Sequence, residues 1–434
     1  MEAEQMSGGK EQHRIGQERR WESVAHGPRV LASLKTLGPG LVAGASDIDP
    51  TTVATMAVVG ATTIYSLSWL AWLLFPMLTI VLVIATRVGA ITGRNLQEAV
   101  KARYGRAPQW ILLGSIVGVN ILTLAADVHA GAAALGLLFH RESIWFLLLF
   151  AGATLALVLW STYDEIERVL KYVLLILLAY PISAVLAHPD WGQVLRRTFI
   201  PSFSTNGDYI TGAVAMLGTA ITGYVYVWQT VQTAEEQPNE GLQKTRQLDA
   251  VVGTFFSVAI VWFILIATGA TLGVQRRPVN TAEEAAQALA PAAGPYASYV
   301  FGVGLLGSAL IAVPVLMATT GYIVAGQLDV RRGLSKPVRN APTFYGVITA
   351  SAVLAVLISA TGISPIRLLF LASIVAGVAT PIGLTALMLV TSDPRLMGDR
   401  AVRGPLRAAG WAVTAIVAIL SLLYLAQQIT GGGR

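Results

Sequence analysis

The segment from Val30 to Thr63 is apolar enough to cross a bilayer. Its middle nevertheless reads Gly44-Ala45-Ser46-Asp47-Ile48-Asp49-Pro50-Thr51-Thr52-Val53-Ala54-Thr55, with two carboxylates, a proline and a run of hydroxyls. A charge at bilayer depth is costly, and it normally faces a protein interior or an aqueous cavity on a substrate or ion path. Pro50 removes a backbone donor and interrupts the helix. The freed carbonyls are tolerated at that depth only where protein or a water-lined site satisfies them. A polar break at mid-membrane is how many secondary transporters build a binding site.

The rest of the chain is consistent with a membrane setting. Of its 434 residues, 54% are hydrophobic and 12% charged, about half the charge of a soluble domain. Long apolar runs recur to Leu425, which predicts an all-α polytopic membrane protein. Residues 1–30 are polar and mixed in charge, without the apolar core and small-residue cleavage site of a signal peptide, and predict a cytoplasmic tail. Residues 31–429 then form one transmembrane domain. Cysteine is absent, which excludes disulfides and thiolate metal sites. The net charge of +6 is assigned to topology and anionic lipid rather than to nucleic acid. No cofactor is expected, and the expected assembly is a monomer or weak homo-oligomer.

Eleven spans are predicted. Five lie near 31–60, 66–91, 108–138, 143–162 and 165–187; six lie near 208–234, 249–274, 296–325, 341–361, 365–391 and 406–428. Connections on one face collect Arg94, Lys101, Arg103, Arg106, Arg331, Arg332, Lys336, Arg339, Arg395, Arg400, Arg403 and Arg407, along with the cations of the tail. The opposite loops hold few, chiefly Arg141, Arg196, Arg197, Arg276, Arg277 and Arg367. This bias puts the amino terminus in the cytoplasm and, with eleven spans, the carboxyl terminus outside.

Spans 1 and 6 are the unusual pair. The sixth contains Gly218-Thr219-Ala220-Ile221-Thr222-Gly223-Tyr224, whose composition disfavours a continuous helix. Five spans separate the two breaks. That spacing suits two inverted five-helix repeats, near 31–187 and 207–391, plus an extra helix near 406–428.

Short patterns along the chain resemble one family, the natural-resistance-associated macrophage proteins, which are divalent-metal transporters of the LeuT-type fold. Gly38-Pro39-Gly40 followed by Ile48-Asp49-Pro50 and Ala54-Thr55 is similar to their first-helix signature. Thr86-Arg87-Val88-Gly89-Ala90-Ile91-Thr92-Gly93 resembles the end of their second helix. Echoes follow at Tyr163 with Glu165, Glu167 and Arg168, at Asp190-Trp191 and Pro201-Ser202. Further on come Ala325-Gly326-Gln327 and the stretch Thr391-Ser392-Asp393 to Leu396-Met397-Gly398. The resemblance implies metal ligation by Asp49 and by the carbonyls of Ser46 and Thr219.

There are departures from that pattern. The family's first-helix asparagine position is Thr52, and its sixth-helix Met-Pro-His reads Thr222-Gly223-Tyr224. Asp47 adds a second acid, and the tenth-helix glutamine position falls at Ser373. The doubled acid and the run through Tyr226, Trp228 and Gln229 resemble the divergent magnesium/manganese branch of the family. On the third span Asp127 matches one acid of the family's proton path, His129 lies two residues beyond, and the next acid of that path falls at Ala130.

These residues define the expected site. Thioethers favour softer metals, whereas carboxylates, carbonyls, hydroxyls and water suit hard ions. Losing the methionine at Thr222 therefore points to magnesium or manganese as the cargo, moved by alternating access with little or no proton coupling. Asp49, Asp47, Thr52 and Thr222, with the two carbonyls, are the metal candidates. Tyr224, Trp228, Gln229 and Ser373 are pocket or gate candidates, and Asp127 with His129 a polar path. The plainer readings stand beside these: Asp49 as a helix cap, the threonines bonded back to helix carbonyls, the aromatics as packing. Other functions compatible with the chain are a LeuT-type carrier of a small organic solute, an intramembrane aspartyl protease and a non-transporting metal sensor. The protease lacks the expected Gly-x-Gly-Asp context. A bacterial inner membrane is the expected location.

Overall fold

The computed structural model describes residues 48–141, 143–160, 176–235, 240–334 and 337–430. The tail, Ser46, Asp47, the echo at Tyr163–Arg168 and parts of the first, fourth and fifth predicted spans lie outside these residues. The described chain is helical throughout, without a strand. In order it forms α1 (Pro50–Thr63), α2 (Ser68–Thr92), α3 (Leu96–Tyr104), α4 (Arg106–Phe139), α5 (Ile144–Trp160), α6 (Ala179–Leu186) and α7 (Trp191–Phe199). Then follow α8 (Gly207–Ala220), α9 (Gly223–Glu235), α10 (Glu240–Thr268), α11 (Ala297–Gln327), α12 (Pro342–Ser359), α13 (Pro365–Ser392) and α14 (Gly404–Ile429). Among the described residues, eight stretches are long and apolar enough to cross a membrane, with α8 and α9 together making one of them.

Both predicted breaks are present. Asp49 has extended backbone and caps α1, while Pro50 takes the first helical position, where its missing N–H leaves no bond unmade. At the other break, Ile221 and Thr222 are non-helical between α8 and α9.

The packing surrounds these breaks. α1 lies against α8, α10 and α13, and α4 forms a long seam with α11. Glycines let backbones approach closely where α8 crosses α13: a Cβ on Gly218 would strike the Ser373 carbonyl, and one on Gly377 would strike Val214. On α9, fully buried Tyr226 packs its phenol against Gly383 of α13.

On the face rich in cations, α3 acts as a short amphipathic brace. Asn95 and Glu98 form a reciprocal capping box at its start. Glu98 also pairs with Arg332, Lys101 with Asp329 at 2.5 Å, and Arg103 with Asp393. The Leu96 N–H donates to Thr230 Oγ1 of α9 at 3.0 Å. One nine-residue helix thereby ties α9, the end of α11 and the end of α13 together.

Candidate functional site

The two helix breaks meet. Asp49, only 2% exposed, accepts the Thr52 N–H on Oδ1 at 2.6 Å and the Tyr224 O–H on Oδ2 at 3.0 Å. The hydroxyls of Thr52 and Thr219 lie 2.9 Å apart, so α1 and α8 touch at the same level. Ser308 of α11 donates to the Ile48 carbonyl at 3.1 Å, just before the cap. Thr380 of α13 donates to the Ile221 carbonyl at 3.2 Å, holding the other break.

The neighbouring hydroxyls of α1 extend the polar seam. Thr51 donates to Asp127 Oδ1 on α4 at 2.7 Å, and the Thr55 and Ser373 hydroxyls are 2.6 Å apart. Thr222 Oγ1 and Asp127 Oδ2 are among the twelve side-chain polar atoms buried without a hydrogen-bond partner among the described residues. Such atoms are uncommon in folded interiors. The Thr222 hydroxyl belongs to the break itself.

Asp49, Thr52, Thr219 and Tyr224 are therefore linked by hydrogen bonds, Thr222 lies in the break two residues before Tyr224, and Ser373 joins them one turn along α1 through Thr55. Asp49 does cap the helix, as its plainer reading expects, but that uses only Oδ1. Gln229 and Trp228 lie further along α9. The Gln229 amide donates to Thr86 of α2 at 3.1 Å, and the Trp228 ring packs edge-on to Tyr322 of α11 at 6.0 Å. Both residues bridge helices at those positions.

Asp127 and His129 do not bond to each other. Two residues along an α-helix turn a side chain to nearly the opposite face. His129 is half-buried, with Nδ1 unpartnered among the described residues, and Ala130 beside it is buried. Thr51, Thr55, Ser308 and Thr380 were not among the site candidates read from the sequence, although Thr51 and Thr55 lie in the polar break. The signal available for them was the density of hydroxyls in apolar helices, where each must find an acceptor.

The chemistry of this junction is that of oxygen. It offers one carboxylate, threonine hydroxyls and a phenol, and the last turn of α8 ends there with carbonyls lacking intrahelical donors. The Leu217 carbonyl is taken by the Ile221 N–H at 2.9 Å. Among the described residues no three His, Cys, Asp or Glu side chains converge as a metal-binding group. A helix C-terminus and a carboxylate both favour nearby positive charge.

The chain is similar to known proteins over most of its length. Residues 40–427 match the family model described as natural resistance-associated macrophage protein-like. A divalent metal cation transporter, MntH, of Caldanaerobacter subterraneus subsp. tengcongensis is 28% identical over 403 residues, covering 90% of this chain and 93% of that protein. The crystal structure of an Eremococcus coleocola manganese transporter superposes with a TM-score of 0.73 at 20% identity, covering 94% of this chain and 89% of that one. MhsT, solved in complex with L-phenylalanine, gives a TM-score of 0.59 at 14% identity, covering 90% of this chain and 98% of its own. The architecture is the LeuT-type fold of integral membrane transporters.

Proposed function

This chain belongs to the natural resistance-associated macrophage protein-like family, and from that premise we propose that it carries divalent metal cations across the membrane, with hard ions, manganese and magnesium, as its cargo. The observation that carries this reading is the buried Asp49 carboxylate set between two broken helices, held by the Thr52 N–H and the Tyr224 phenol beside the Thr52 and Thr219 hydroxyls. Magnesium sheds water reluctantly and commonly binds through one or two carboxylates while keeping part of its shell. Asp49 supplies that charge, and the hydroxyls of Thr52, Thr219 and Thr222 serve either the ion or its retained waters. Asp47 and the Ser46 carbonyl belong to the same proposed donor set.

Transport proceeds by alternating access, with α8 and α9 hinging at Ile221–Thr222. Proton coupling is weak or absent: Asp127 is engaged by Thr51, and Ala130 stands where a second acid would continue a relay. The membrane potential suffices as a driving force. A divalent ion moving through 100 mV gains roughly 4–5 kcal/mol. The chain lies in a bacterial inner membrane with a cytoplasmic amino terminus.

The test is manganese flux into proteoliposomes under an imposed negative-inside potential, with magnesium as competitor and a lumenal pH dye. Influx blocked by magnesium, lost in Asp49→Ala and unaccompanied by acidification is the expected result. Acidification in step with influx would refute the uncoupled mechanism, and flux that survives Asp49→Ala would refute the site.

A further inference from the structure

Resting on the reading of Asp49 as the cation's carboxylate, we propose that Tyr224 is a positioning residue that acts through Asp49. Its phenol O–H keeps the cation's place on Oδ2 and turns away when the metal binds. Both oxygens of Asp49 are engaged, but by different kinds of donor. Oδ1 holds the Thr52 N–H at 2.6 Å, a backbone donor fixed by the first turn of α1. Oδ2 holds the Tyr224 O–H at 3.0 Å, a side-chain donor that rotation can withdraw. The hydrogen of a donor presents positive charge to the oxygen, as a cation does. A divalent ion on Oδ2 therefore repels the phenol hydrogen and competes with it directly.

The position of Tyr224 gives that competition a mechanical consequence. It is the second residue of α9, and α9 is joined to α8 only through the non-helical pair Ile221–Thr222. The phenol thus ties the start of α9 to the start of α1. Cation binding at Asp49 releases the tie, so occupancy of the site and the position of α9 become linked. A ligand shifts a conformational equilibrium only through its differential interaction with the two states. Exchange of the phenol for the metal supplies that difference. Packing accounts for the burial of the ring, but it assigns no sign to the effect of removing one oxygen atom.

That sign is measurable. Manganese is titrated calorimetrically into the purified full-length protein as wild type, Tyr224→Phe, Tyr224→Leu and Asp49→Ala, with thermal melts of each in metal-free buffer. Tyr224→Phe is expected to bind manganese about tenfold more tightly (~1.4 kcal/mol). In proteoliposomes its KM should fall while kcat does not rise. Tyr224→Leu removes the donor without adding an atom that could ligate metal and gives the same tightening should the phenylalanine variant fold poorly. An unchanged Kd with a lowered melting temperature would reduce Tyr224 to a structural role and overturn the proposal. Weaker binding would make the phenol a ligand and overturn it equally. Retention of wild-type affinity in Asp49→Ala, or no binding in wild type, would remove the underlying carboxylate site and the proposal with it.

Discussion

Gly218→Ala should damage this protein out of proportion to the single methyl it adds. A Cβ at Gly218 stands 2.7 Å from Gly377 Cα and closer still to Gly377 N and the Ser373 carbonyl, where ordinary contact begins at 3.4 Å. Helices α8 and α13 must separate by about 1.4 Å to bring the Ser373 carbonyl to ordinary contact. All three obstacles are backbone atoms, so no rotamer change relieves them. Overpacking of this kind costs about 1–3 kcal/mol, and a backbone obstacle places it near the upper end. Replacing glycine by alanine in a helix returns about 0.5–1 kcal/mol. The net loss is then about 2 kcal/mol, roughly thirtyfold in the folded-to-unfolded ratio. Transport should suffer as well, because Thr219 follows Gly218 directly. Displaced by that distance, its 2.9 Å contact with Thr52 stretches beyond hydrogen-bonding range. Fluorescence-detected melting and manganese uptake in liposomes read both effects. Gly118→Ala on α4 is the control: its Cβ meets nothing within 4 Å, so the helix gain alone remains and stability should rise slightly. Wild-type melting and uptake in Gly218→Ala, or an equal loss in Gly118→Ala, would refute the close-crossing argument.

Other variants test the polar seam and the brace. Thr51→Val leaves Asp127 without its Thr51 donor and should cost about 1–3 kcal/mol, while Thr51→Ser stays near wild type; comparative melts decide it. Arg332→Gln breaks a partly exposed ion pair and should cost no more than about 1 kcal/mol, diminishing in high salt. Glu98→Ala loses the same pair and the capping box, and should melt measurably lower than Arg332→Gln under all salt conditions. The Asp393 carboxyl is held below its ordinary value by the Arg395 backbone N–H and then by the Arg103 guanidinium. A depressed folded pKa means its stabilisation is present above the unfolded value near 3.9 and lost as pH falls through the folded one. The melting difference between wild type and Asp393→Asn should therefore hold at pH 5–7 and shrink below about pH 4.

What the sequence conveyed of the site was whatever depends on a few consecutive residues. Asp49-Pro50-Thr51-Thr52 reads as a helix start because capping and the tolerance of proline at the first position are local effects. Thr222-Gly223 reads as a break for equally local reasons. Partners of individual side chains were not legible, because they depend on how one helix registers against another. Here that register is set by close backbone contacts such as those of Gly218 and Gly377. Gln229 thus bonds to Thr86 instead of reaching the break, and Tyr224 meets Asp49 across 175 residues of chain. Adjacency in sequence also suggests contacts that helix geometry forbids, as with Asp127 and His129.

The cations illustrate a further limit of local reading. Lys101, Arg103 and Arg332 entered the topology argument as a count of positive charge on one face. The structure engages all three, with Asp329, Asp393 and Glu98. The same residues that orient an inserting chain can thus serve, once it is folded, as the ties of the α3 brace. That brace also holds α9 through Leu96 and Thr230, seven residues beyond the Gly223 at which α9 begins. α9 is consequently fastened at its start by the Tyr224 phenol and further along by the Leu96 N–H at Thr230 and by the Gln229 bond to Thr86. Of these ties, only the phenol sits on the oxygen a cation would claim, so movement of α9 on metal binding should start at the break and be resisted further along the helix.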